Sequence, residues 1–403
     1  MRLGFVLLLI ASTGAAQPAP VTTPLTYQQA LDLATSRNLG VAAARRARAI
    51  REAAVRTARQ YSNPDLSVEL TRDSPHQVVT AGVPLDFGPR RSRRIDLANE
   101  ELSLADVDVQ SELRTVRRAV RQAFYSLLAG DERVELAESI LELSQRFRDA
   151  AQARFDAGAA PRLEVLQADL GVARAHADLE LARSDRVAAQ ATLNSVINAP
   201  AAQPVMLSGT MLEGIPAIAY EPMLALAVAS NVDLIALDRQ IAIEQRRVGL
   251  LRAERTPAAS VSVSALFNAP PEFNSGAGVG IGLSLPLFSR NQGEIAQSIA
   301  TVSQLRARRE ATMREVENAV FGLTARISAQ RRRTDTYDRD LVPTASSLES
   351  LAEESYRAGR TSVLGVLDAQ RNLRDLRREA LQAALDLQLT IADLEEQLGT
   401  DIR

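Results

Sequence analysis

The alternation of apolar and polar positions predicts four short strands in two separated pairs. Every second side chain is apolar near residues 65–71 and 77–86, and again near 258–267 and 276–287. The runs are seven to twelve residues long. A tilted strand that crosses a bilayer with one apolar face and one polar or small face has about ten residues. A soluble hairpin with one buried face has the same alternation. The pattern by itself therefore leaves both interpretations open.

Long helices are predicted for most of the remaining chain. Between Ser92 and Ala157 there is no proline and only one glycine, Gly130. An uninterrupted helix over this stretch has about 65 residues and a length of ~100 Å. The segment 366–394 carries apolar residues alternately three and four positions apart, with many alanines. That spacing is typical of a coiled-coil seam with closely approaching backbones.

The chain contains an internal duplication. Matching positions occur in the same order in both halves: Tyr27 with Tyr220, Asn38 with Asn231, Pro64 with Pro257, 83–85 with 285–287, and 154–158 with 355–359. We therefore interpret 24–200 and 217–399 as two copies of one unit, joined by a Pro- and Gly-bearing linker at 200–216. Each unit is predicted to contain a helix, two strands, a very long helix, a glycine-marked turn and a return helix.

The N-terminal residues 1–16 have the features of a secretory signal peptide. Arg2 precedes an apolar run at 5–11 and a small-residue cleavage site at 14–16. The run is far shorter than the ~20 residues of a spanning helix. No cysteine follows, so we expect a mature chain of 17–403 without N-terminal lipidation. We see no other stretch of transmembrane-helix length, so a membrane crossing is expected to use strands.

Composition excludes several kinds of chemistry. All 47 basic residues are arginine, which rules out a P-loop or Schiff-base lysine. A net charge of −2 gives no electrostatic reason to expect nucleic acid. The two histidines, His76 and His176, lack cysteines or clustered acids at ligand spacing, so we predict no metal site, no cofactor and no catalytic residue. The arginines at 90–94 either meet lipid headgroups or flank the strands.

Four strands per chain require assembly if they lie in a membrane. Four strands cannot close a barrel, and an open sheet edge is not tolerated in lipid. Two chains would give eight strands, whose interior is filled by side chains, whereas three would give twelve strands and a lumen. The expected fold is therefore mainly α with a transmembrane β hairpin per repeat. As a homotrimer it would form a 12-stranded β-barrel continued by a long α-helical barrel in the periplasm.

The two glycine-marked turns carry a recognisable motif. Arg154-Phe155-x-x-Gly158, followed by Glu164-Val-Leu-Gln-Ala, and the second copy at 356–370 resemble the periplasmic tip signature of the TolC outer-membrane factor family. The resemblance covers essentially the whole mature chain. The segments 63–66 and 84–88, with the arginines that follow them, further resemble the CzcC-like heavy-metal branch.

The resemblance implies a non-catalytic conduit located in the cell outer membrane, in contact with its lipid. Such a conduit takes metal cations or small toxic compounds from an inner-membrane pump, of the RND type, through a periplasmic adaptor that docks at the helical tip. Two other functions remain open at this point. One is the outer channel of a type I protein-secretion system, and the other is a non-porous periplasmic coiled-coil scaffold.

The resemblance also implies a set of tip residues. Next to the turns at Gly158 and Gly359, the closed state is expected to use a contact between Glu164, where the family has Asp, and Tyr356. The family's tip arginine has no match at Thr361.

Two further tip positions depart from the family pattern. Arg360 lies one residue before the family's arginine position, so a basic partner for Glu164 is open. Asp368 matches one position of a cation-attracting ring of acids, whereas Gly365 occupies the other ring position.

Overall fold

The computed structural model describes residues 24–86, 88–213, 215, 218–269 and 273–402. The predicted signal peptide lies outside these residues. The elements of the first half are α1 Tyr27–Arg37, α2 Leu39–Arg59, β1 Asp65–Leu70, β2 Gln77–Leu85, α3 Pro89–Asp156 and α4 Arg162–Val196. Those of the second half are α5 Tyr220–Ser230, α6 Val232–Ala253, β3 Ala258–Ala269, β4 Phe273–Ser284, α7 Gln292–Thr336, a π-helical turn Tyr337–Leu341, α8 Val342–Arg357 and α9 Val363–Leu398.

The first helix of each repeat, expected to be continuous, is broken at an asparagine. Asn38 has an extended backbone, and its side-chain oxygen accepts hydrogen bonds from the amides of Gly40 and Val41. Asn231 caps α6 in the same way. The side-chain amide of Asn231 also donates to the carbonyl of Gln397 at 2.7 Å, near the end of α9. Because an asparagine cap satisfies amides that lack a helical partner, it starts a new helix at each site.

The long helices of the two repeats differ in continuity. Helix α3 runs for 68 residues, or ~100 Å, without a break. Its counterpart in the second repeat is interrupted by the π-helical turn Tyr337–Leu341, just before Pro343. Proline has no amide hydrogen and its ring crowds the preceding turn, so a regular α-helical ladder cannot continue through it.

The four strands form one antiparallel sheet in the order β1-β2-β3-β4. The central pair, β2 with β3, joins the hairpin of one repeat to that of the other. One face is apolar and exposed, with Leu66 on β1, Val263 on β3 and Val279 on β4 at 72%, 55% and 79% exposure. The other face carries the serines of β3 against the glycines of β4. A Cβ on Gly280 would lie 2.8 Å from Ser262 Oγ, so glycine permits this close fit.

Strand β4 ends earlier than the sequence pattern indicates. Its pairing with β3 stops at Ala258–Ser284, whereas the alternation continues to residue 287. Residues 285–287 lie beyond the first residue of β3, so they have no strand to pair with in this sheet. Alternating apolar and polar residues alone do not make a strand, because a strand also needs a neighbouring strand for its backbone hydrogen bonds.

One helical stretch contradicts the expectation that only strands could span a membrane. Among the residues that the structure covers, Tyr220–Ala253 is long and apolar enough to do so by length and composition. The stretch is two helices, α5 and α6, separated by Asn231. Helix α6 packs against α3 and α7 and buries Leu234 and Leu237. Its apolar residues therefore serve helix packing.

Helix α9 connects the cores of the two repeats. Its residues Leu381 and Leu385 are buried with Phe124 of α3 in the first core. Ile391 and Leu394 of the same helix are buried in the second core, with α5 and α7. A strict seam of three- and four-residue spacing would give only a narrow apolar stripe. Between residues 381 and 398, α9 buries additional positions beside that seam, which allows it to contact both cores.

Candidate functional site

The two tip turns have the same backbone geometry. Gly158 follows α3 with φ +70° and Gly359 follows α8 with φ +68°. In the first turn, Gly158 N donates to Phe155 O at 2.9 Å and Ala159 N donates to Arg154 O at 2.8 Å. The second turn repeats both bonds from Gly359 and Arg360. This is a Schellman cap, which requires left-handed backbone at the glycine and reverses the chain sharply.

The tip brings Tyr356 and Glu164 together. Tyr356, at the end of α8, is 2% exposed, and its hydroxyl donates to Glu164 Oε2 at 3.0 Å. Glu164 lies in the first turn of α4, where a negative charge is favoured by the helix dipole. The Tyr356 ring packs against Phe147, with ring centroids 5.4 Å apart, and against Val366. This hydrogen bond therefore links α8 of repeat two to α4 of repeat one.

An arginine that we did not single out as a site residue completes this contact. The guanidinium of Arg154 lies 4.3 Å from the centroid of the Tyr356 ring. Burial raises the pKa of Tyr356, the Glu164 carboxylate raises it further, and Arg154 opposes them. The phenol therefore keeps its proton at neutral pH and can act as the donor. The sequence pointed to Arg154 only through its position in the first tip motif.

Arg360 and Asp368 lie apart from this contact. Arg360 is exposed, and no carboxylate within the described part of the chain lies within 4.0 Å of its guanidinium. Asp368 is exposed on α9 and lies 3.8 Å from the guanidinium of Arg371. Gly365, one turn earlier, would place a Cβ 3.0 Å from Thr361 Oγ1. An acid at that position would crowd this threonine.

A basic groove runs above the tip between α3, α4 and α9. Its volume is about 570 Å³, and its walls include apolar residues such as Leu170. Five arginines line it: Arg174, Arg371, Arg374, Arg377 and Arg378. Three carboxylates offset part of this charge: Asp178 in the lining, Asp375 at 3.0 Å from Arg374, and Asp368 beside Arg371. The groove therefore has excess positive charge beside apolar side chains.

The arginines at 90–94 stabilise the junction between sheet and helices. Arg94 donates to the carbonyls of Ala58 and Gln60 at the end of α2 and to Asp86 Oδ2 at 2.9 Å. Arg90 donates to Glu254 O at 3.2 Å, at the end of α6. Cations at helix C-termini satisfy carbonyls that have no helical partner. Of the two interpretations, the contacts favour flanking the strands over binding headgroups.

Comparison with known proteins identifies the fold and family. A family model described as outer membrane efflux protein matches residues 29–199 and 223–400, one match in each half. The cobalt-zinc-cadmium resistance protein CzcC of Cupriavidus metallidurans is 28% identical over 360 residues, which cover 88% of this chain and 85% of that protein. The pyoverdine export outer membrane protein OpmQ of Pseudomonas putida is 27% identical, over 83% of this chain and 72% of that protein.

A solved structure of CusC, whose description concerns folding and transmembrane channel formation, has the same fold. It superimposes with a TM-score of 0.76 at 15% identity, covering 97% of this chain and 96% of that one. The resemblance to outer-membrane factors, the duplicated helix–hairpin fold and the non-enzymatic class are thereby confirmed. Because the family model covers most of both halves, the chain belongs to the outer membrane efflux protein family.

Proposed function

We propose that three copies of this chain form the outer-membrane duct of a tripartite efflux system. The observation that carries the proposal is the four-stranded sheet, which has an exposed apolar face and, within the described part of the chain, an unpaired edge strand on each side. In lipid such edges must be paired, and three sheets supply the twelve strands of a barrel with a lumen. The apolar face would then contact outer-membrane lipid.

The helices support a periplasmic extension of this barrel. Helix α3 is long enough, at ~100 Å, to reach far from the membrane. Leu163, Leu166 and Leu170 of α4 are exposed in the single chain and follow one helix face. In a trimer, a neighbouring helix would cover that face. The proposed barrel would hold the protein in the outer membrane.

The tip is proposed to be the gate and the docking end. In the closed state Tyr356 and Glu164, flanked by Gly158 and Gly359, would hold repeat two against repeat one. Asp368 would contribute a ring of three carboxylates, and Arg360 would lie at the outer surface, where a periplasmic adaptor docks.

Divalent metal cations are the substrate that we propose. The CzcC relative is named for resistance to cobalt, zinc and cadmium, and the match covers most of both chains. A duct needs no tight metal site of its own, since tight binding would slow passage. A small exported compound is the second candidate, because the OpmQ relative is named for pyoverdine export. The pump is proposed to be an inner-membrane transporter of the RND type.

Membrane fractionation and planar bilayers test the duct. We expect the protein in the outer-membrane fraction, a trimeric mass in detergent, and discrete conductance steps after reconstitution. Recovery as a soluble periplasmic protein without conductance would contradict the proposal and favour a coiled-coil scaffold.

Gene deletion tests the substrate. We expect the deletion strain to lose resistance to cobalt, zinc or cadmium, and resistance to return with the wild-type gene. Unchanged metal resistance together with lost resistance to organic compounds would favour the second candidate. Loss of a secreted protein alone would favour a type I secretion channel.

A further inference from the structure

The two hairpins of the sheet are related by a consistent residue shift. Pro64 corresponds to Pro257, a shift of 193 residues for the first strand of each repeat. Pro84 corresponds to Pro286, a shift of 202 residues for the second strand. Applied to the observed pair Asp65–Gly82 of β1 and β2, these shifts give Ala258–Ser284. That pair is observed between β3 and β4.

The junction between the two repeats provides a template for a junction between two chains. Strand β2 is the second strand of its repeat, and it pairs with β3, the first strand of the other repeat. Strand β4 and strand β1 hold the corresponding places at the two open edges. In the β2–β3 junction, Val83 pairs with Val261 and Leu85 pairs with Ala259.

We propose that β4 pairs with β1 of the next copy in the register of the β2–β3 junction. The same shifts convert Val83–Val261 into Leu285 paired with Val68 of the partner subunit. They convert Leu85–Ala259 into Leu287 paired with Leu66 of the partner subunit. This inference rests on the proposed trimer, and adds which residues of the two edges meet.

The register has consistent side-chain chemistry. All four residues are apolar and exposed in the single chain, Leu285 at 56%, Leu287 at 61%, Leu66 at 72% and Val68 at 63%. Directly opposed residues of an antiparallel pair lie on the same face, so the leucines of β4 would continue the apolar surface of the barrel. A slip by one residue would set Leu285 against Ser67 or Glu69 and move one strand's apolar residues to the other face.

The register also accounts for the early end of β4. In the single chain, residues 285–287 form a tight turn in which Leu287 N donates to Leu285 O at 2.9 Å. Their counterparts in β2, residues 83–85, are extended because β3 lies beside them. On assembly, β4 would therefore lengthen to Leu287. Pro286 is compatible with this, since Pro84 occupies the same place in β2 opposite Ser260.

A cysteine scan measures the register directly, because the chain contains no cysteine. Val68→Cys is combined in turn with a cysteine at Ile281, Leu283, Leu285 or Leu287, and the outer membranes are oxidised with copper phenanthroline. A disulfide needs Cα atoms about 4.4–6.8 Å apart, and a register error of two residues exceeds this. We expect inter-chain cross-linking, seen as dimers and trimers on non-reducing gels, to be greatest for Leu285→Cys. A maximum at another position, or none, would overturn the proposed register.

Two controls separate this result from the proposed function. Val83→Cys with Val261→Cys, an observed pair, should form a disulfide within one chain and no multimer. Mass and conductance of the reduced variants report whether a trimeric duct exists. A conducting trimer that cross-links elsewhere overturns the register alone. A monomer without conductance overturns both the register and the duct.

Discussion

At the residue scale, one hydrogen bond of the tip lies in an apolar setting. Tyr356 is enclosed by Phe147, Val363 and Val366, and Glu164 Oε2 accepts the hydrogen bond of its hydroxyl at 3.0 Å. The same type of hydrogen bond occurs away from the tip, where the hydroxyl of Tyr337 in the π-helical turn donates to Glu379 Oε2 of α9 at 2.7 Å. Two tyrosine–glutamate bonds in one chain provide a matched comparison between the tip and the rest of the molecule.

Tyr356→Phe should open the tip. A hydrogen bond to an ionised acceptor contributes about 1.5–3 kcal/mol, so its loss should shift a closed–open equilibrium by roughly tenfold or more. Single-channel recording in planar bilayers should show higher conductance for Tyr356→Phe and for Glu164→Ala. Tyr337→Phe removes the equivalent bond far from the tip and should leave conductance unchanged. Equal conductance of Tyr356→Phe and wild type would refute the gating role.

Asp368 should control block by multivalent cations. Its carboxylate is exposed and only partly offset by Arg371 at 3.8 Å, so three copies would attract cations into the tip. Asp368→Asn should weaken block from the tip side, whereas Arg371→Gln should strengthen it. The measurement is the blocking concentration of a trivalent cation in planar bilayers. If both variants shift it in the same direction, Asp368 does not act as a cation collar.

At the element scale, arginines join the helices to the sheet. Arg94 bonds two carbonyls at the end of α2 and the carboxylate of Asp86, whose side chain is 12% exposed. Arg93, its neighbour, makes a looser pair with Asp96 at 3.7 Å, with both side chains close to half exposed. The two positions differ in burial and partners, although they are adjacent in a basic run.

Arg94→Ala should destabilise the junction, whereas Arg93→Ala should not. Removing Arg94 leaves a mostly buried carboxylate without its partner, which costs about 2 kcal/mol. An exposed pair such as Arg93–Asp96 contributes at most about 1 kcal/mol. Denaturant unfolding in detergent, followed by circular dichroism, would compare the two. Similar losses for both variants would argue against the capping role of Arg94.

At the scale of the whole molecule, a buried ion pair lies between the two repeats. Arg121 of α3 has its Nε 3.0 Å from Glu395 Oε2 of α9, and both side chains are almost fully buried. Burial, with a smaller contribution from Asp401, raises the pKa of Glu395 to about 7, although Arg121, the backbone amide of Ile402 and Arg117 all oppose the rise. Arg121 also contacts Tyr27 of α1, so the pair holds α1 and α3 of repeat one against α9 of repeat two.

The free energy of unfolding should therefore fall as the pH rises from 4.5 to about 7. A folded-state pKa above the ordinary glutamate value of 4.5 means that the folded protein binds the extra proton between pH 4.5 and about 7. The contribution of Glu395 to the free energy of unfolding is fully present below pH 4.5 and is lost as the pH rises to about 7. The loss is at most about 3 kcal/mol. Glu395→Gln should flatten this dependence in thermal unfolding, whereas the neighbouring Glu396→Gln should keep it. An unchanged pH profile in Glu395→Gln would contradict the assignment.

Local periodicity explains what the sequence by itself determined. The four strands, the long helices and the tip turns follow from patterns within short segments, and the duplication follows from matching positions in the two halves. Gly158 and Gly359 mark turns that only glycine adopts easily. The Tyr356–Glu164 contact was expected from the tip motif, since family resemblance carries information about distant pairs. A single sequence without that resemblance would have left the two residues unconnected.

Tertiary structure alone decided the features that depend on a partner. Whether residues 285–287 form strand depends on a neighbouring strand, and whether Arg154 or Arg360 lies beside Tyr356 depends on how α3 and α8 pack. The same holds for the buried pair of Arg121 with Glu395, which are far apart in sequence. The alternation of side chains records which face of an element is apolar. It does not record which element will cover that face, because that is set by the packing of the whole chain.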